Sequence, residues 1–169
     1  VPGWQFAGTY SLGGSQLVLK SQGCAIGRRI AFVGSGPLLY LVAAQYAAAG
    51  ANIAGVYDTS PWRARLGALP ALLAGARNLF KGVGLELSLR RAGVRVHRGI
   101  TPLQIEGTAD HGVSGFAYRD HAGQTQRVDC DAVALGWHLR PETQLADLAR
   151  CEFAQDARNG LWLPRIDSD

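Results

Sequence analysis

Methionine is absent from all 169 residues of the chain, position 1 included. We therefore expect the chain to be a segment of a longer protein. Long apolar runs are absent too: none approaches the roughly 20 residues that a membrane-spanning helix needs. The opening residues, VPGWQFAGTY, have neither the basic nor the apolar region of a secretory signal. With 47% hydrophobic and 18% charged residues, the composition predicts a globular domain, which we expect in the cytoplasm.

Cysteine is scarce, which limits the redox and metal chemistry of the chain. Cys24, Cys130 and Cys151 lie far apart and form neither the CxxC pair of a redox dithiol nor the spacing of a zinc site. An odd number of cysteines favours a reducing compartment. The four histidines are isolated as well, so we expect no metal site.

Lysine is nearly absent, and the basic residues are not clustered. The net charge of +4 comes from arginines scattered along the chain, with only Lys20 and Lys81 beside them. A nucleic-acid-binding surface would concentrate its basic residues and interleave them with aromatic ones. We therefore expect neither nucleic acid nor a membrane as a partner.

The chain does contain an alternation of apolar strands and helices. Residues 30–33 are continuously apolar, which is typical of a strand buried on both faces of a parallel sheet. A helix rich in Leu and Ala follows as far as Gly50, and a second strand ends at Asp58. Further strands are predicted at residues 94–99 and 132–136, with short alternating segments between them. The predicted fold class is α/β: a Rossmann-like parallel sheet flanked by helices, with an inserted antiparallel β-meander.

The flanks carry weaker signals. We predict an irregular linker over residues 1–27, in which residues 16–20 could form one or two helical turns, a nucleotide-binding domain over residues 28–136, and a second linker over residues 137–169. That second linker has one helical segment and a tail without clear structure. After Ser60 the chain is predicted to be helical, with breaks at Pro70 and at the glycines of residues 82–84.

The turn after the first buried strand, GSGP, is typical of a dinucleotide site. Gly34 would allow the tight reversal, and Gly36 would let the backbone approach a diphosphate closely. Ser35 and Pro37 complete the turn at the start of a helix, whose free N–H groups attract anions. Asp58, at the end of the next strand, would accept hydrogen bonds from the adenosine ribose and favours NAD over NADP.

Two features leave alternatives open. Leu39 stands where the G-x-G-x-x-G pattern has its third glycine, so the turn could belong to a scaffold that holds another nucleotide or none. Arg63 could reach a 2′-phosphate, or it could occupy an exposed first turn of a helix.

No catalytic residue is predicted. Ser35 lies in the phosphate loop, because a G-x-S-x-G nucleophile elbow is absent. His97 is predicted to be a strand residue with local partners, Cys130 a small buried hydrophobe, and Tyr40 a core or pocket residue. The chain is therefore predicted to bind a cofactor without catalysing a reaction alone.

Two segments, GSGPLLYLVA and CDAVALGWHLRPETQLADLA, carry a family resemblance. The chain resembles the NAD(P)-binding domain inserted in the FAD domain of pyridine nucleotide-disulfide oxidoreductase-like flavoproteins. Gly136 and Pro141 match a glycine and a proline of the closing strand in that family. More closely, the chain resembles the α subunits of opine oxidases, hydrogen cyanide synthase and related amine or amino-acid dehydrogenases.

This resemblance implies NAD(P) in this domain, with Gly136 beside it, and FAD held by missing parts of the protein on either side. It also implies an amine, opine or amino-acid-like substrate and a partner in the form of a second subunit. In relatives of this kind the domain can instead hold ATP or serve as a vestigial scaffold for subunit contact. In the scaffold alternative, Trp4, Trp137 and Trp162 would supply interface surface.

Overall fold

The computed structural model describes residues 1–61, 76–137, 142–157 and 160–165, and only the backbone of residues 76–83. It divides into two units, Val1–Trp137 and His138–Asp169. The first unit contains three helices and eight strands among the described residues, which are β1 (Thr9–Ser11), α1 (Leu12–Gln22), β2 (Ile30–Gly34), α2 (Pro37–Ala48), β3 (Ile53–Asp58), α3 (Ala76–Arg91), β4 (Val96–Arg98), β5 (Thr101–Thr108), β6 (Gly112–Arg119), β7 (Thr125–Asp129) and β8 (Ala132–Gly136). The second unit contains α4 (Gln144–Leu148), β9 (Phe153–Gln155) and β10 (Trp162–Pro164).

A five-stranded parallel sheet forms the centre of the first unit, in the order β1-β8-β2-β3-β4. Every residue of β2 is buried, which explains why its sequence is apolar without alternation. The predicted parallel sheet is therefore confirmed, with β2 as its central strand.

The two faces of this sheet are covered by different layers. On one face, Ile30 and Phe32 pack with residues of α1, α2 and α3, and Phe32 meets the ring of Tyr46 edge-on at 5.2 Å. On the other face, Ala31 and Val33 pack with the second core cluster, which includes residues of β5 and β6. The result is a three-layer arrangement of helices, parallel sheet and antiparallel sheet.

The antiparallel layer is the predicted β-meander. Strands β5, β6 and β7 pair in that order, and every pairing is antiparallel. Phe116 and Tyr118 of β6 are buried, and both contact the ring of Tyr57 in β3, which joins the meander to the parallel sheet. The predicted fold class is confirmed.

Several predictions for the flanks and the helices were wrong. Residues 1–27 are not irregular throughout, because β1 joins the main sheet and α1 runs for 11 residues. Ser11 caps α1 by accepting a hydrogen bond from the N–H of Gly14 at 3.0 Å, so the helix begins four residues before the helical turns predicted at residues 16–20.

Helix α3 and the tail differ from prediction as well. Helix α3 passes through residues 82–84 without a break. In the second unit, β9 and β10 form an antiparallel pair where no structure was predicted. The predicted break at Pro70 lies outside the described residues. No helix in the described part of the chain is long and apolar enough to cross a membrane.

Candidate functional site

The glycine turn follows β2 at the carboxyl edge of the parallel sheet. Gly34 has a φ of +151°, and a Cβ atom built there would lie 1.7 Å from the carbonyl oxygen of Gly136. No side chain fits at this position, because β2 and β8 run side by side with Gly34 paired to Gly136. Gly34 is therefore required by the close approach of two strands.

Gly36 has a different environment. Its φ is +85°, a left-handed conformation that favours glycine, and it is the N-terminal flanking residue of α2 with Pro37 next. No side chain caps this end of α2, and the atom nearest to a Cβ built on Gly36 is the Trp137 carbonyl oxygen at 3.9 Å. Open space beside an uncapped helix N-terminus fits a diphosphate, which the free N–H groups and the helix dipole would attract.

The turn also lies at the topological switch point of the sheet. From β2 the chain proceeds through α2 to β3 on one side, while β8 lies on the other side. In open parallel sheets, ligands bind in the crevice that forms at such a point. The glycine turn therefore lies at the edge of the sheet where open parallel sheets bind ligands.

Hydrogen bonds hold the loops after β2, β3 and β8 together at this edge. The Ser35 N–H donates to the Gly136 carbonyl at 3.0 Å, and the Ser35 hydroxyl donates to the Trp137 carbonyl at 3.3 Å. The Thr59 N–H donates to the Gly34 carbonyl at 2.8 Å. The Trp137 indole N–H donates to the Thr59 hydroxyl oxygen at 3.1 Å, so the three loops form one hydrogen-bonded frame.

Asp58 ends β3 beside this frame, but its carboxylate is turned into the protein. The residue has no exposed surface. One oxygen accepts the Tyr40 hydroxyl at 2.5 Å, and the other accepts the Ser60 N–H at 2.8 Å. Both oxygens of the Asp58 carboxylate are therefore bonded to protein groups, and neither is exposed to a ligand as the structure stands.

Arg98 and Glu86 extend the contacts of Asp58 to two more elements. Arg98 of β4 is the register partner of Asp58, and its guanidinium forms an ion pair with Glu86 of α3. Burial alone would lower the pKa of Arg98, but hydrogen bonds to Glu86 and the Tyr40 hydroxyl outweigh it and raise the pKa. We call Asp58, Tyr40, Arg98 and Glu86 the carboxyl-edge network.

Gly136 and Leu39, two positions of the predicted motif, face protein. A Cβ atom on Gly136 would meet the Leu12 side chain at 2.6 Å, so this glycine allows α1 to begin close to β8. Leu39 is fully buried in the core between helices and sheet, where the usual pattern has a third glycine. Arg63 and Pro141 lie outside the described residues.

His97 and Cys130, for which no catalytic role was predicted, are surrounded by other protein side chains. The His97 ring stacks on the Tyr57 ring at a centroid distance of 4.9 Å, and burial, followed by the charge of Arg95, lowers its pKa. Cys130 is buried, and burial raises its pKa to about 12, which keeps it a neutral thiol. Within the described ranges, no group of three or more His, Cys, Asp or Glu side chains is placed to hold a metal ion.

Arg98, Thr59 and the hydrogen bond of the Trp137 indole were not predicted from the sequence. Tyr40 was predicted to be a core or pocket residue. One available signal was Asp58 itself, since an acid at the end of an apolar strand needs a buried donor. Trp137 was expected at an interface only in the scaffold alternative, and in the structure its indole N–H donates a hydrogen bond to Thr59.

Comparison with known proteins gives the relatives of the chain. No family model matches it. It is 34% identical over 170 residues to the A subunit of opine oxidase from Rhizobium meliloti (strain 1021), a match that covers 98% of this chain and 36% of that protein. It is 29% identical over 150 residues to the HcnB subunit of hydrogen cyanide synthase from Pseudomonas protegens, a match that covers 86% of this chain and 32% of that protein. The chain thus spans about a third of the length of the curated relatives that it matches.

Solved structures show which proteins share the fold of the chain. A FAD-dependent pyridine nucleotide-disulphide oxidoreductase from Desulfovibrio vulgaris superimposes with a TM-score of 0.57 at 20% identity, covering 94% of this chain and 36% of that one. The predicted resemblance is confirmed. The chain is homologous to a segment of the opine oxidase A subunits and of HcnB, and it has the fold of the pyridine nucleotide-disulfide oxidoreductases.

Proposed function

We propose that this chain is the NAD(P)H-binding domain of an FAD-dependent oxidoreductase that acts on an amine, opine or amino-acid-like substrate. The observation that carries the proposal is the glycine turn, with open space at Gly36 beside an uncapped helix N-terminus at the switch point. The backbone of residues 34–37 would hold the diphosphate, with the N–H groups at the start of α2 directed at it. When bound, NAD(P)H supplies a hydride.

The rest of the proposal follows from the relatives. The name opine oxidase supports the substrate class, and both relatives are named as subunits, which supports a partner chain. We assign the FAD to the part of the full-length protein that this chain does not contain, with residues 1–27 and 137–169 leading toward it. The isolated chain would then show no turnover.

Calorimetric titration of the chain with NADH, NADPH and ATP tests the proposal. We expect a nicotinamide nucleotide to bind and Gly36→Ala to weaken it by roughly tenfold or more, because a Cβ atom would stand where a phosphate approaches. Gly50→Ala is the matched control. Gly50 follows the other end of α2, has a φ of +78° and has no neighbour within 4 Å of a built Cβ atom, so it reproduces the backbone strain away from the site.

A second candidate function is favoured by the carboxyl-edge network. Because Asp58 is already held by protein groups, the domain could be a scaffold that contacts another subunit and holds no dinucleotide. Trp4 and Trp162 are 66% and 61% exposed and would be part of the contact surface. Absence of heat with all three nucleotides would favour the scaffold function. Heat with ATP alone would show that the domain binds ATP and not a dinucleotide.

A further inference from the structure

Asp58 has the position of a ribose-binding acid but the surroundings of a structural one. It ends β3 next to the glycine turn, with Gly34 as its register partner on β2. A carboxylate without exposed surface is costly to bury unless donors satisfy it. Here the donors are protein groups, the Tyr40 hydroxyl and the Ser60 N–H.

Each of these donors belongs to a segment that shapes the glycine turn. Tyr40 lies in the first turn of α2, three residues after Pro37. Ser60 follows Thr59, whose N–H and hydroxyl both donate to the Gly34 carbonyl, at 2.8 and 3.1 Å. One buried carboxylate therefore fixes the start of α2. It also fixes the loop after β3, which is hydrogen-bonded to the end of β2.

Tyr40 also has a charged neighbour, Arg98 of β4. The Tyr40 hydroxyl helps to raise the pKa of Arg98, and the Arg98 guanidinium is paired with Glu86 of α3. The Tyr40 hydroxyl donates to Asp58 at 2.5 Å, so the Tyr40 ring cannot swing toward a ligand without breaking this bond.

We propose that Asp58 is a positioning residue that acts through Tyr40 and Ser60 to hold the glycine turn, and that it does not choose between NAD and NADP. A carboxylate that recognised the ribose diol would repel a 2′-phosphate and reject NADPH. A buried carboxylate that contacts only the protein should instead affect the affinities for both nucleotides equally. The part of the proposal that concerns nucleotides rests on the proposed function.

The test compares Asp58→Asn, Tyr40→Phe and the double variant with the wild-type chain, at a temperature where all remain folded. We expect each single change to weaken the binding of NADH and of NADPH by the same factor, roughly tenfold. The double variant should bind no more weakly than Asp58→Asn to within about twofold, because Tyr40→Phe acts only through the bond to Asp58 that Asp58→Asn already perturbs. The ratio of the NADH and NADPH dissociation constants should stay within about twofold of wild type.

Asp131→Asn is the matched control for the loss of a carboxylate. Asp131 accepts the backbone N–H groups of Arg28 and Arg29 at 2.9 and 2.8 Å, before β2 and β8 begin, at the opposite edge of the sheet. Its replacement should lower stability without changing either dissociation constant. A ratio that moves fivefold or more toward NADPH in Asp58→Asn, but not in Tyr40→Phe, would overturn the proposal in favour of direct ribose contact.

If the wild-type chain binds neither nucleotide, the proposed function fails, and the positioning role is read from the amide resonances of Ser35 and Gly36 without ligand. Those resonances should shift in Asp58→Asn and Tyr40→Phe and stay in place in Asp131→Asn. Unchanged Ser35 and Gly36 resonances in the two network variants would overturn the positioning role by themselves.

Discussion

At the scale of single residues, Gly34 and Gly36 are required by different neighbours. Gly34 is excluded from bearing a side chain by the Gly136 carbonyl, whereas Gly36 needs only its left-handed φ and has space around it. A sequence motif contains both glycines and cannot separate these causes. Only the second glycine is free to accommodate a ligand, which is why the binding test uses Gly36.

His97 carries a prediction at the same scale. Burial lowers its pKa in the folded chain below the ordinary value near 6.5, so the unfolded chain binds a proton more readily. Its contribution to stability is complete above about pH 6.5 and is lost as the pH falls below that value. We expect the free energy of unfolding, measured with urea, to fall between pH 7 and pH 5.

The control for this pH dependence is a second histidine. His97→Gln should lower stability at pH 7, because it removes the stacking on Tyr57, and should flatten the fall toward pH 5. His121→Gln, which alters an exposed residue, should keep the slope of the wild-type chain. An unchanged slope in His97→Gln would show that His97 is not the titrating group.

At the scale of elements, most strands of the first unit were predictable, whereas β1, β9, β10 and the full length of the glycine-containing helices were not. A continuously apolar stretch such as residues 30–33, followed by a glycine turn, is typical of a strand buried in a parallel sheet, so β2 could be predicted. Helices α1 and α3 contain glycines that lower helix propensity, and tertiary packing overrides that local preference. Strand β1 was missed because three residues are too few to show a period.

Helix α3 gives a prediction at this scale. Gly84 lies inside the helix, is exposed, and has no neighbour within 4 Å of a built Cβ atom. Gly84→Ala should therefore raise the free energy of unfolding in urea by roughly 0.5–1 kcal/mol, since alanine loses less conformational entropy in a helix. Gly50→Ala should have the opposite sign, because its φ is +78°. Destabilisation by Gly84→Ala would contradict a continuous α3.

At the scale of the whole molecule, the first unit combines a nucleotide-type glycine turn with an acid that is used internally. The alternation of strands and helices along the chain and the position of the turn after β2 followed from the sequence, whereas the spatial order of the strands was not predicted. The carboxyl-edge network could not be predicted, since it joins residues of α2, β3, β4 and α3 that have no local pattern in common. The similarity to opine oxidase A subunits extends across both units of the chain.

The central claim is that the open start of α2 receives the phosphates of a nucleotide, and an amide NMR titration of the 18.0 kDa chain with NADH tests it most directly. We predict that the amides of Ser35, Gly36, Leu38 and Leu39 show the largest saturable shifts, and that Gly36→Ala raises the NADH concentration needed to saturate them by roughly tenfold or more. If NADH leaves these four amides in place while shifting others, or shifts none, the glycine turn is not the binding site.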